Sequence, residues 1–518
     1  MPDYATDQPS ALFNQVYVEQ NAGIHYMSRL LWVFEDDAAC TSVLDVGCGF
    51  GFSVDVAAKV LGWRAVGIDP SQYASDGARM LGADIRRAYL TPETDLGEPY
   101  HLLLAVEVIE HIPDLYPFLA LLRRWMQPGG KLVFTTPNAD ALTPEVNPGM
   151  LFAMLSAGGH LVLFTARSME LMLRRAGFQH VRCELVDLNL VAYASDAPMA
   201  FRDDISGPHT RGYEAYLRCL LETAPAGEPL WNGAAGRLMV LEAANAPAEQ
   251  ALALFARVTQ AWRTRFGIDL ARLRLPPPTL EPEFGQGGPA LLERLRQSQP
   301  LNLAGLLMQR ALLEQRLPGR VPETVLGYAR AAYAISQQIC RALEEFGLID
   351  ADLKGTTWRA RLLCTNMLVE LAPELEGSLL TALAAAAHGG LAGRIDLPLR
   401  ILLPRLAEFF VRAVHAQRYD EAARFEPLLA DLDQIAQALE GRSFELYHTL
   451  FCLGVLRLNA LHAPEGAQAA FERLETIAIA DATDVGRHFA QVACNNVAMA
   501  KAHIAQRPAL PHSLPLRR

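Results

Sequence analysis

The chain has 518 residues, 51% of them apolar and 20% charged, with a formal net charge of −11. That length exceeds what one hydrophobic core organises, so two or three domains are expected. The acidic balance and the lack of a Lys/Arg run argue against a nucleic-acid partner, and no apolar run of about 18 residues is present to span a bilayer.

Eight cysteines (Cys40, Cys48, Cys183, Cys219, Cys340, Cys364, Cys452 and Cys494) are scattered without CxxC spacing. Free buried thiols are expected, rather than disulfides or a zinc site. The opening MPDYATDQPS lacks the basic-then-apolar pattern of a secretory signal. A soluble, cytoplasmic protein is expected.

In chain order, a helix is predicted over Gln15–Leu31, with Tyr17, His25 or Tyr26 facing a ligand. Short apolar runs then alternate with helical patterns. Strands are predicted at Ser42–Val46, Ala65–Ile68, Ile85–Leu90, Leu102–Val106 and Lys131–Thr135, and helices at Ser53–Leu61, Tyr73–Leu81, Leu115–Met126 and Ser168–Ala176. The β-branched segment Val181–Tyr193 adds one or two further strands. This alternation predicts an α/β domain, a mostly parallel sheet covered on both faces, over residues 1–200.

Beyond residue 200 long Ala/Leu-rich amphipathic patterns replace the strands. A helical extension is expected over 201–272, a Pro/Gly-rich linker over 273–289, an all-α domain over 290–505 and a frayed tail over 506–518. Gly236–Val258 and Gly454–Leu474 echo each other as helix, Ala-Pro turn and helix, and Arg412–Leu432 is a looser third copy. Helical hairpins of the tetratricopeptide kind, or generic paired helices, would both give this pattern.

The stretch VLDVGCGFG (Val43–Gly51) puts a glycine turn between a strand and a helix. Such a turn allows close approach of a ligand to exposed backbone N–H groups, as nucleotide, dinucleotide and S-adenosylmethionine sites all require. Asp45 ends the strand and suits a cationic partner better than a pyrophosphate. Phe52 stands where a dinucleotide fingerprint has its third glycine, and no GK[ST] follows. Asp69, in AVGIDPS, ends the second strand and can accept from both hydroxyls of a ribose.

The set DVGCGFG, GIDPS, EVIEHIPD, PGGKLVFTTPN and HLVLFTARSMELMLRRAGF resembles the class I S-adenosylmethionine-dependent methyltransferases. It is most similar to the branch holding ubiquinone-biosynthesis O-methyltransferases and bacterial sugar and natural-product methyltransferases. The resemblance covers about Leu44–Phe178 and implies a Rossmann-like, doubly wound sheet of seven strands, with S-adenosylmethionine as cofactor. It implies that Gly47, Cys48 and Gly49 pass beside the methionine moiety, with Asp45 near its amino group. Asp69 would take the ribose hydroxyls, Pro70 beside it is a further cofactor-binding candidate, Tyr89 and Leu90 would border the adenine, and Val106 and Glu107 would meet the methionine end. The sequence departs from the family pattern after the third strand, where no acidic residue occurs before Glu93, and at Tyr100-His101, where Phe-Asp is usual.

A hydroxyl acceptor gains from a general base, and His111 (in EVIEHI) and His160 (in SAGGHLVLFT) are the catalytic candidates. The long segment Thr136–His160 would shape the acceptor pocket. No HExxH or DxD pattern occurs near the proposed site, so no metal is expected there, although Glu107, Glu110 and His111 form a trio able to take a divalent ion. The expected activity is methyl transfer to a hydroxyl, with an amine as the second option, on a small molecule or a surface-glycan sugar. The helical half would dock a protein partner or mediate oligomerisation. The alternatives are a scaffold with a weakly active or inactive methyltransferase domain, and a protein methyltransferase.

Overall fold

The computed structural model describes residues 17–19, 25–34, 36–143, 151, 154–156, 159–186, 188–202, 205–275, 297–319, 321–346, 360–361, 363–365, 367–368, 370–372, 379–380, 397–429, 432–481 and 483–505. It divides into two compact units: Met1–Leu317 with Glu345–Leu353, and Pro318–Glu344 with Lys354–Arg518.

The first unit is built on seven strands: β1 (Ser42–Val46), β2 (Arg64–Asp69), β3 (Ile85–Arg87), β4 (Tyr100–Val106), β5 (Met126–Pro137), β6 (His180–Val186) and β7 (Asn189–Ser195). Their order is β3-β2-β1-β4-β5-β7-β6. The first five run parallel, and β7 lies antiparallel to both β5 and β6. Every residue of β1 is buried, as expected of a central strand in a sheet covered on both faces. Leu44 pairs with Val66 on one side and Leu103 on the other, which fixes the register of the middle of the sheet. The predicted doubly wound, mostly parallel sheet is the observed fold.

Helices that accompany the sheet among the described residues include α1 (His25–Trp32), α2 (Phe52–Lys59), α3 (Gln72–Leu81), α4 (Leu115–Arg124) and α5 (Ala166–Arg175). Leu119 and Leu122 of α4 and Met169, Met172 and Leu173 of α5 pack with Leu103, Leu132 and Phe134 of the sheet in one core. A reciprocal cap fixes the start of α5: Thr165 Oγ1 accepts from the Ser168 N–H at 3.1 Å, and Ser168 Oγ accepts from the Thr165 N–H at 2.9 Å. Such a cap is worth about 1 kcal/mol.

The unit continues through α6 (Ser206–Thr223), α7 (Pro229–Asn245), α8 (Ala248–Phe266) and α9 (Leu303–Arg316). Helix α6 is seated directly on the sheet domain. A Cβ at Gly212 would fall 2.0 Å from the Trp32 ring, so only glycine allows this approach to α1. Tyr216 Oη donates to Asp55 Oδ2 of α2 at 2.7 Å, and both residues are buried.

Among its described residues the regular elements of the second unit are all helices: α10 (Pro322–Phe346, whose last two residues fall in the first unit), α11 (Leu397–His415), α12 (Tyr419–Ala423), α13 (Leu432–Ala438), α14 (Ser443–Asn459), α15 (Pro464–Ala480) and α16 (Asp484–Ala505). Leu406, Phe410, Phe425, Leu450 and Leu453 anchor its core. The echoed segments are helix, Pro-marked turn and helix in both units, α7–α8 and α14–α15. Residues 276–289 of the expected linker and the tail 506–518 lie outside the described residues. No helix among the described residues is long and apolar enough to cross a membrane.

Candidate functional site

Chain order reverses direction across the sheet at β1, with β2 on one side and β4 on the other. The crevice at the carboxyl ends of these strands is where open α/β sheets bind ligands. The glycine turn leaves β1 at that point. Gly47 has φ 77°, and a Cβ on it would lie 2.3 Å from Val108 Cγ2. Gly49 has φ 54°, with open space where a Cβ would be. Both conformations favour glycine.

Two carboxylates flank the turn. Asp69 ends β2; its Oδ2 accepts the Gly49 N–H at 2.9 Å, and its Oδ1 accepts from the Ser71 N–H at 2.8 Å and Ser71 Oγ at 2.5 Å. Asp45 is buried beside it. Its Oδ2 accepts from Ser53 Oγ on the first turn of α2, while Oδ1 has no hydrogen-bond partner. Burial pushes the Asp45 carboxyl up to about 7, with Ser53 opposing and Asp69 adding to the rise. A buried carboxylate oxygen lacking a donor is a defined place for a cationic group. Cys48 packs its sulfur where a Cβ on Gly67 would stand, and burial holds its thiol well above the usual range. Pro70 contributes its carbonyl to Arg87 Nε at 3.3 Å.

Past β4 the chain enters a tight turn. Val106 is buried at the strand end; Glu107 has φ 53° and accepts from Thr135 Oγ1 at 2.8 Å. A single 3-10 turn, Ile109–His111, follows. Glu110 is fully buried, and neither of its carboxylate oxygens has a hydrogen-bond partner. Desolvation, and then the neighbouring Glu107, push its carboxyl up to about 8. His111 Nδ1 meets the Gly159 carbonyl at 2.9 Å, and His160 Nδ1 meets the Met154 carbonyl at 2.7 Å. Carbonyls only accept, so both rings carry their proton on Nδ1 and, when neutral, keep a lone pair on Nε2. Both Nε2 atoms face Glu110 Oε1, at 3.9 Å and 4.0 Å. The rings stand edge to face with centroids 4.8 Å apart. Burial lowers the basicity of His111, the Gly159 carbonyl opposing. The Glu110 carbonyl accepts from the N–H groups of Leu161 and Val162, at 2.7 Å and 3.2 Å, which ties the segment carrying His160 to this turn.

Sequence reasoning selected His111 and His160 separately; the fold brings them together around Glu110. It also places Asp45, Gly47, Cys48, Gly49, Asp69, Val106 and Glu107 at adjacent strand ends. Tyr89 and Leu90 are placed differently. Strand β3 ends at Arg87, so neither residue closes it; Tyr89 is 50% exposed and Leu90 packs against the sheet core. The chain turns early because Ala88 N–H already bonds back to the Asp69 and Arg86 carbonyls. Tyr17 packs with Phe50, Phe52 and Tyr73, whereas the side chains of His25 and Tyr26 lie outside the described residues. Ser53 and Val108 escaped sequence reasoning; Ser53, eight residues beyond Asp45 at the helix start, was the more legible. A separate cavity of about 220 Å³, lined by Arg182, Tyr193 and Phe201 among others, lies toward the β6 edge, away from this crevice.

The sheet order, the glycine turn and the two strand-end carboxylates define a methyltransferase-type Rossmann domain. Residues 18–182 match the family model of a methyltransferase domain, and this part of the chain is a methyltransferase domain. Among curated proteins, the ubiquinone biosynthesis O-methyltransferase of Rhizobium rhizogenes is 35% identical over 102 residues, 18% of this chain and 41% of that relative. Its namesake from Rhodopseudomonas palustris is 32% identical over 140 residues, 23% of this chain and 54% of the relative. The chain thus spans about half the length of the curated relatives it matches. Similar solved structures include the plantazolicin methyltransferase BpumL in complex with SAH, with 13% identity and a TM-score of 0.31 over 38% of this chain and 93% of that one. Another is an O-methyltransferase family protein from Burkholderia thailandensis, with 18% identity and a TM-score of 0.29 over 36% of this chain and 58% of that one.

Proposed function

We propose that the crevice binds S-adenosylmethionine and that the chain methylates an oxygen of a small molecule or glycan sugar. The observation that carries this reading is the pair of strand-end carboxylates around the glycine turn: Asp45 with a buried oxygen lacking a donor, and Asp69 oriented by Gly49 and Ser71. The first suits an ammonium group and the second the two hydroxyls of a ribose. When bound, S-adenosylmethionine supplies an electrophilic methyl on a sulfonium. The protein's share is to align the acceptor, exclude water and take a proton.

His111 and His160 serve that last task. Each ring is held by a backbone carbonyl at Nδ1 and presents Nε2 to the same small volume, so either can accept an acceptor hydroxyl's proton. An amine acceptor needs no such base and is the second chemistry. Titration of S-adenosylhomocysteine into the protein tests the cofactor half, and an acceptor screen over phenols and sugars tests the other.

One observation favours a second reading of the same turn. Single donor atoms of Glu110, His111 and His160 all lie within 4.8 Å of one another, and Glu110 is buried without a hydrogen-bond donor. Two imidazole nitrogens and a carboxylate are a set that a divalent cation takes. Nδ1–H···O=C bonds are the usual orienting contacts behind ligating histidines. A bound cation would acidify the acceptor hydroxyl in place of a histidine base. Dialysis against a chelator separates the two: a histidine base survives it, and a cation site loses activity that added divalent ion restores. For the helical second unit we propose partner docking, testable by co-purification with and without Lys354–Arg518, which belongs wholly to that unit.

A further inference from the structure

We propose that the helices beyond residue 205 complete the cofactor site, with Glu19 and Asn302 forming a clasp that holds Tyr17 over the glycine turn. This rests on the methyltransferase reading and adds positioning residues to it. The Tyr17 ring lies 5.4 Å from that of Tyr73, 6.2 Å from Phe50 and 6.3 Å from Phe52, centroid to centroid. Phe50 and Phe52 flank Gly51 in the turn, and Tyr73 opens α3 just past Asp69. Helix α3 is packed onto the turn's backbone, since a Cβ on Gly77 would fall 1.9 Å from the Phe50 carbonyl oxygen. Tyr17 therefore bridges the turn beside Asp45 and the wall that carries Asp69.

Two residues on, Glu19 is only 4% exposed, and its Oε1 accepts the backbone N–H of Asn302 at 3.2 Å. Asn302 is the N-cap of α9, so the buried carboxylate meets the positive end of a 14-residue helix. Asn302 is itself fixed: its Nδ2 donates to the Asn232 carbonyl of α7 at 2.5 Å. Gly236 admits it, for a Cβ there would lie 2.3 Å from that nitrogen. Asn232 continues the chain of contacts, its Oδ1 accepting from Trp262 Nε1 of α8 at 2.8 Å and its Nδ2 donating to the Gly227 carbonyl at 2.9 Å. The Tyr216–Asp55 bond secures α2, the helix that starts from the turn, to α6. The N-cap of α9 thus holds Glu19, α7 and α8 brace that cap, and α6 holds α2, so residues of the extension position groups that would touch the cofactor without touching it themselves.

The test uses the full chain with S-adenosylhomocysteine as probe, reading affinity by calorimetry, dissociation rate by competition, and ligand-free Tm. Glu19→Ala is expected to weaken binding about tenfold, mainly through faster dissociation, because the closed arrangement becomes a minor population. Glu19→Gln, which keeps an acceptor for the Asn302 N–H, is expected to recover most of the loss. Tyr17→Leu keeps the clasp but removes the ring, and is expected to weaken binding similarly; it serves also if Glu19→Ala does not fold. Binding within twofold of wild type in the folded variants overturns the clasp. Absence of binding in the wild type overturns the methyltransferase reading beneath it, and the clasp with it.

Discussion

The backbone N–H of Gly49 donates to Oδ2 of Asp69 at 2.9 Å, joining the turn after β1 to the end of β2. One carboxylate thereby orients the turn and is oriented by it, with Ser71 holding its other oxygen at 2.8 Å and 2.5 Å. A ribose bound there would find an acceptor already aimed, with little ordering left to do on binding.

Gly47→Ala is expected to lower stability by about 1–3 kcal/mol, because it forces an alanine to positive φ. The added Cβ also meets Val108. Thermal or urea unfolding measures this. Adding Val108→Ala should recover the steric share and leave the backbone share, whereas full recovery would show that the backbone conformation costs nothing.

Replacing both His111 and His160 by Ala is expected to lower kcat about 10²–10⁴-fold with a hydroxyl acceptor, and to leave S-adenosylhomocysteine affinity unchanged. Burial keeps His111 below the usual histidine range, so it is a neutral base at pH 7. The wild-type rate should therefore fall on the acid side and stay level above neutrality. Undiminished turnover in the double variant would remove both histidines from the chemistry.

The ligand-free protein should lose stability as pH rises from about 4 to 8. Desolvation pushes Asp45 up to about 7 and Glu110 up to about 8, while in the unfolded chain both ionise near pH 4. Across that window the folded state binds more protons than the unfolded one, so the slope of stability against pH is negative. Burial raises the Glu107 and Asp55 carboxyls in the same direction; Glu110→Gln removes one of these groups and should flatten the fall by roughly 3 °C or more in Tm between pH 5.5 and 8. An identical pH profile in the variant would show that Glu110 does not retain its proton.

Much of this site was legible because its signals are local. The three glycines and Asp45 lie within seven residues, and Asp69 closes a strand that hydrophobic patterning marks clearly. The pairing of His111 with His160 was not legible: it depends on the Glu110 carbonyl capturing the Leu161 and Val162 N–H groups, 51 and 52 residues further along the chain. Nor could the sequence end β3 at Arg87, since the apolar run to Leu90 continues beyond the last parallel pairing, Asp69 with Arg87. The contacts of Glu19 with Asn302 and of Asp55 with Tyr216 span 283 and 161 residues. Helical periodicity says which face of α6 or α9 is apolar, but not what covers it.

The most direct test of the central claim is calorimetric titration of S-adenosylhomocysteine into wild-type protein and Asp69→Ala. Micromolar binding that weakens about 100-fold in the variant is expected, from the loss of two charge-assisted hydrogen bonds. No binding by the wild type, or equal binding by both proteins, would contradict the assignment of the glycine turn and Asp69 to the cofactor.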